Sequence, residues 1–388
     1  MATINNPFNP SFGGRPQYFF GRKQELGIVS DALGNHNSPY RTLFFTGNRG
    51  CGKTALLERL SGLASNEKWL TIDVHSANAS QSIVRKLIGA NSITTERTAE
   101  PSLGFAGASF KAGSLRTSET VSYDALSLSD TLLETCSSLK RHEGIFITVD
   151  EIQKIPEADM ENLCAAVQMS MRKGMPIALM LAGLPESKEL VSSYRGCTFM
   201  RRVTDIRLDS LLVSETYEAF QHLMGLASNV DVSEEAIDEM ARYSQGYPYL
   251  MQLIGYYTLE EAPLPALPQV HKVGKNDVRF AKAYAYEQFR TNVLEPVVNE
   301  LSSGQRAYLR SMAIALDDDG QARTGDVAQI MGKDQRQLSV VRDRLIKKRV
   351  VVPGNRGCVR YNLPRMRQYF TDPVAFPSFD AADTWKHV

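Results

Sequence analysis

Cysteine is scarce in this chain: Cys51, Cys136, Cys164, Cys197 and Cys358 are scattered over 388 residues with no CxxC pair among them. An odd, dispersed set indicates neither a disulfide framework nor a cysteine zinc site, and a reducing, cytoplasmic location is the expectation. Long apolar runs are lacking too. None approaches the roughly 20 residues a membrane-crossing helix needs, and the polar start MATINNPFNPSFGG has neither the basic nor the apolar part of an export signal, so no membrane partner is expected. The six histidines, His36, His75, His142, His222, His271 and His387, form no metal-ligand spacing, and sequence order brings no Ser-His-Asp or Cys-His set into view.

Net charge is also close to absent, at +1, but its distribution is uneven. Residues 301–370 hold fourteen Lys or Arg against six Asp, an excess of eight positive charges that leaves the rest of the chain at −7. The basic charge is thus concentrated at the C-terminal end.

From Arg41 to Leu208, apolar β-branched segments alternate with helical patterns, which predicts a parallel α/β sheet. Five strands are expected at Leu43–Thr46, Leu70–Val74, Ile145–Val149, Ile177–Ala182 and Val203–Leu208, with helices beginning near Lys53, Gln81, Ser129, Asp159 and Glu186. Residues 100–122, rich in Gly, Ser, Thr and Ala without a period, read as an insertion. The texture then turns helical, with Glu215–Leu226, Ser233–Tyr243 and Tyr249–Tyr257 forming a small helical domain before the proline cluster at 261–268. A long helix over Asn276–Leu301 leads on to helices at Gln305–Leu316, Gly325–Met331 and Gln335–Lys348 and to two short β segments around Pro353–Gly357, an order resembling a winged helix. The expected domains are therefore 17–210, 211–290 and 291–372, with tails at 1–16 and 373–388.

The chemistry is concentrated in Gly47-Asn48-Arg49-Gly50-Cys51-Gly52-Lys53-Thr54, a match to GxxxxGK[ST]. Glycines let backbone N–H groups curl around phosphate oxygens, a helix N-terminus adds a favourable dipole, Lys53 reaches the outer phosphates, and the Thr54 hydroxyl ligates Mg²⁺. The strand Thr42–Thr46 before it and the helical Ala55–Leu60 after it supply the required strand, loop, helix context. About one hundred residues later, Ile145–Val149 ends in Asp150 and Glu151. Asp150 is expected to share the metal with Thr54, and Glu151 to polarise an attacking water, so that ATP is bound and hydrolysed to ADP.

Together these segments resemble the AAA+ and STAND-type P-loop ATPases, especially origin-recognition-like and archaeal or bacterial "ATPase domain" proteins, over roughly residues 17–370. Tyr18-Phe-Phe-Gly21-Arg22-Lys-Gln-Glu-Leu26 is similar to the FxGRxxEL box of these families, which implies that Gly21 and Arg22 lie near the adenine. Gly246-Tyr-Pro248 matches the GxP motif of the STAND lid, implying that Pro248 packs near the base. The resemblance also implies an arginine finger before the fifth strand, where Arg201 and Arg202 stand, Arg202 being preferred; a finger usually acts from a neighbouring copy, which makes a homo-oligomer a possible partner. Two departures from the pattern, the Ala-Gly-Leu-Pro end of the fourth strand without a polar sensor and Gly-Tyr-Pro in place of the lid arginine, imply a slow switch and not a motor. In the winged helix, Arg336, Arg342, Lys347 and Arg356 are the candidates for contacts with duplex DNA, while apolar Leu338, Val341, Leu345 and Ile346 form its core. Winged helices also serve as protein-binding modules, which leaves a protein partner as the alternative.

Overall fold

The computed structural model describes residues 5–11, 18–75, 78–97, 127–139, 143–260 and 270–372. The expected insertion at 100–122 and the proline cluster at 261–268 lie outside them. The five strands β1 (Thr42–Thr46), β2 (Leu70–Val74), β3 (Ile145–Val149), β4 (Ile177–Gly183) and β5 (Thr204–Arg207) form one parallel sheet in the order β2-β3-β4-β1-β5. Its helices are α1 (Lys23–Gly34), α2 (Lys53–Asn66), α3 (Ala79–Arg97), α4 (Leu128–Ser138), α5 (Glu157–Arg172) and α6 (Ser187–Ser193).

Why the strands read as unbroken apolar runs is plain from their burial. Each of β1, β3 and β4 is buried along its whole length because helices cover both faces of a parallel sheet. Alternation along β1 sends Leu43 and Phe45 to one apolar cluster and Phe44 to the other. The second cluster sits under α3 to α6. The first continues without a break through the helices that follow the sheet and into the C-terminal end, taking in Leu253, Leu309, Val359 and Met366.

Those following helices are α7 (Val213–Gly225), α8 (Glu234–Ser244), α9 (Pro248–Glu260), α10 (Lys275–Phe289) and α11 (Glu295–Asn299). The long helix expected over Asn276–Leu301 is interrupted by a π turn at Arg290–Leu294. Pro296 has no N–H to give to the preceding turn, and the helix adjusts its pitch just before it. Two three-residue strands, β6 (Val230–Val232) and β7 (His271–Val273), pair in parallel here, too short for a sequence pattern to announce.

The C-terminal end consists of α12 (Ser303–Ala315), β8 (Gln321–Arg323), α13 (Thr324–Ile330), α14 (Ser339–Lys347), β9 (Val351–Pro353), β10 (Cys358–Tyr361) and α15 (Met366–Thr371), with a sheet in the order β8-β10-β9. This is the layout of a winged helix. Ser302 caps α12 by accepting the Gln305 N–H at 3.3 Å, while the Gln305 side chain accepts the Ser302 N–H at 2.9 Å. The helix expected from Gln335 begins instead at Ser339, because the Asp334 carboxylate accepts the Arg336 N–H at 2.7 Å and holds the intervening residues in a turn.

Candidate functional site

At the C-terminal end of β1, Gly50 and Gly52 adopt φ of +80° and +91°, a conformation side chains disfavour, and the chain turns there into α2. A Cβ at Gly47 would come within 2.5 Å of the Cys51 sulfur, so the loop closes on itself only with glycine at its mouth. Lys53 folds back across the loop, its ammonium donating to the carbonyls of Gly47 at 2.9 Å and Asn48 at 3.0 Å.

Although β4 separates β1 from β3 in the sheet, their C-terminal ends converge. The Thr54 hydroxyl donates to Asp150 Oδ2 at 2.6 Å, and Asp150 Oδ1 accepts the backbone N–H of Glu151 at 2.8 Å. Two hard oxygen ligands thus stand together beside a glycine cradle, a donor set that suits Mg²⁺. Glu151 has a left-handed backbone, φ +51°, and its Oε2 accepts from the Gln153 amide at 2.9 Å and pairs with Lys154 at 3.1 Å.

The lid segment touches the loop directly. The Tyr249 N–H donates to Gly50 O at 3.1 Å, and the Tyr247 hydroxyl donates to Arg49 O. Complete burial holds the Tyr247 phenol well above its ordinary pKa, which keeps it a donor. Pro248 lies 3.8 Å from where a Cβ at Gly52 would stand. Gly246, at φ +70°, abuts the Leu211 carbonyl so closely that no Cβ fits. From the N-terminal side, Gly21 at φ +70° and Arg22 at φ +59° turn the chain so that the Arg22 guanidinium donates to the Cys51 carbonyl at 3.4 Å and to that of Asp209. The box, the loop and the lid, far apart in sequence, meet at one place.

A fourth participant was not signalled by the sequence. The Asn48 amide donates to the Arg349 carbonyl at 2.9 Å, Arg49 pairs with Glu300 at 3.3 Å, and Arg349 itself bonds both oxygens of Asp209 at 2.8 and 3.1 Å. The turn after α14 therefore sits on the phosphate loop, which is why Asn48 is buried. Arg349 belongs to the basic run Lys347-Lys348-Arg349, and nothing local distinguishes it from a solvated charge.

Other candidates lie apart. Arg202 is exposed before β5, and the hydrogen bonds and ion pairs of the loop among the described residues go to other groups. Its neighbour Arg201 lines a 590 Å³ cleft between α6 and the end of α14. Arg336 and Arg356 are exposed, Arg342 pairs with Asp343 at 3.3 Å, and Lys347 faces Glu189 of α6 at 3.7 Å across that cleft.

Residues 18–180 match the family described as AAA ATPase domain, and residues 291–370 match a domain of unknown function, DUF8462. No curated protein sequence matches the chain. Among solved structures, the ORC2 protein of Aeropyrum pernix in its ADPNP–ADP complexes is similar with a TM-score of 0.63 at 14% identity, covering 95% of this chain and 98% of that one. Cdc6p from Pyrobaculum aerophilum is similar with a TM-score of 0.50 at 17% identity, covering 95% and 97%. At such identities the likeness is one of fold, and it extends over the sheet, the helical lid and the C-terminal end alike.

Proposed function

We propose that this chain, which carries an AAA-type ATPase domain in residues 18–180, uses ATP binding and slow hydrolysis to set the position of its C-terminal winged helix, and that the winged helix binds duplex DNA. The observation that carries this reading is the bond from Asn48, within the phosphate loop, to the Arg349 carbonyl at the end of α14. A group that holds phosphate and a group that holds the C-terminal lobe are the same loop, so occupancy at one bears on the other.

In this reading the loop amides and Lys53 hold the phosphates of ATP, Lys53 giving up its bonds to the Gly47 and Asn48 carbonyls to do so. Thr54 and Asp150 would hold Mg²⁺, which supplies neutralisation of phosphate charge. Glu151 orients a water for in-line attack on the γ-phosphorus, and Arg202 of a second copy serves as the finger on the transferring group. Gly21, Arg22 and Pro248 border the place of the base. Replacing Glu151 by Gln is expected to leave ATP binding intact and abolish turnover, whereas unchanged hydrolysis would contradict the assignment.

Arg336, Arg342 and Arg356 are the DNA contacts proposed, with Lys347 joining them once it leaves Glu189. Binding of purified protein to fluorescent duplex DNA, at low and moderate salt and with ATP, ADP or no nucleotide, tests the reading. Affinity should fall with salt, by about 0.9 in the log–log slope for each phosphate contacted, and should change with nucleotide. No binding in any state would transfer the proposal to a protein partner, the winged helix then being an interaction module.

A further inference from the structure

We infer that Gln153 is the positioning residue for Glu151, tying the water-orienting carboxylate to the end of β4, where this chain places no polar side chain of its own; the inference rests on the hydrolytic reading above. Its side-chain oxygen accepts the Leu184 N–H at 3.3 Å and the Ser187 hydroxyl at 3.1 Å. A backbone N–H can only donate, so the amide oxygen faces Leu184 and the NH₂ group faces Glu151 Oε2, 2.9 Å away. The orientation of the amide is thus decided by its partners.

The surroundings are built for this arrangement. A Cβ on Gly183 would stand 2.6 Å from the Ser187 hydroxyl and 3.0 Å from the Gln153 oxygen, so glycine at the end of β4 makes the room that Gln153 fills. Lys154 reaches the same Glu151 oxygen at 3.1 Å, but its side chain is 70% exposed and water competes for it. On the other side of Glu151 stands Asp150, which receives the Glu151 N–H. Gln153 is the neutral partner of Glu151 and is anchored at its other end, so it fixes the direction of the carboxylate without neutralising the charge that draws a proton from water.

Two variants test this in the full-length chain. Gln153→Ala should lower kcat by about tenfold or more, a share of the 10²–10⁴ that a positioned base contributes, while the Kd for a fluorescent ATP analogue stays within twofold. Gln153→Glu keeps both acceptor bonds but sets a second carboxylate against Glu151. The donor to Glu151 is lost and like charge turns the carboxylate away, so kcat should fall at least as far as in Gln153→Ala while the Kd again stays within twofold. Wild-type kcat in Gln153→Ala or in Gln153→Glu overturns the assignment, as does a loss of nucleotide affinity and melting temperature in step with kcat. Turnover lost in Glu151→Gln but kept in Gln153→Ala overturns Gln153 alone, whereas turnover kept in Glu151→Gln overturns the hydrolytic reading and this inference with it.

Discussion

At the scale of single residues, the loop and the lid are held by backbone conformations that only particular side chains tolerate. Gly246 carries two constraints at once, a φ of +70° and contact with the Leu211 carbonyl, whose own N–H donates back to the Gly246 carbonyl at 2.9 Å. Gly246→Ala should therefore cost more than the roughly 1–2 kcal/mol of a left-handed alanine, because Leu211 has to shift as well. Urea unfolding would register this as a lower midpoint, and the Kd for ATP should rise with it, since Tyr247 and Tyr249 follow Gly246 onto the phosphate loop. An alanine variant with unchanged midpoint and affinity would remove the lid from the account of the site.

At the scale of elements, the packing of α8 against α10 carries a pH dependence. The Glu239 carboxyl is held below its ordinary range first by the hydrogen bond from Lys282, with Lys275 and Arg242 adding favourable charge against the opposing effect of burial. A carboxyl whose pKa is lower in the folded state contributes stability that is present above its ordinary value of 4.5 and is lost as pH falls through the depressed value. Melting temperature should fall as the medium is acidified below about 4.5, and Glu239→Gln should flatten that limb while lowering the plateau near neutrality. An acid limb of the same steepness in the variant would place the dependence elsewhere. Arg365 adds to the same seam by stacking on the Tyr243 ring at 4.3 Å and donating to its carbonyl at 2.9 Å, which ties the start of α15 to the end of α8.

For the whole molecule, the question is what holds the C-terminal lobe on the ATPase sheet. Arg349 has a left-handed backbone at φ +54°, so Arg349→Gly removes the guanidinium from Asp209 while easing the turn. A partly exposed ion pair is worth about 0.2–1 kcal/mol, which predicts an open population raised by about 1.4- to 5-fold. Small-angle scattering should record a larger radius of gyration, and stopped-flow exchange of a labelled nucleotide should quicken. If both measurements match the native chain, Arg349 is a surface contact and not a latch. High salt should act in the same direction on the Arg49–Glu300 and Lys347–Glu189 pairs, both of which stand in solvent.

What could be read without coordinates was whatever is written locally. Gly50 and Gly52 reveal a phosphate loop because few other residues take their φ, and Leu43–Thr46 and Ile145–Val149 reveal strands because a sheet covered on both faces demands unbroken apolar runs. Asp150 and Glu151 were legible for the same reason, as polar residues at the end of such a run. Tertiary structure alone decided the rest. Arg349 meets Asn48 across 301 positions of sequence, and Gln153 meets Leu184 across 31; a charged or amide side chain looks the same in sequence whether water or another lobe satisfies it. The helix expected from Gln335 shows the converse, since the period continued while the Asp334 side chain took the backbone N–H of Arg336. Local pattern determines which elements form, and the partners of their polar groups are settled only when those elements pack.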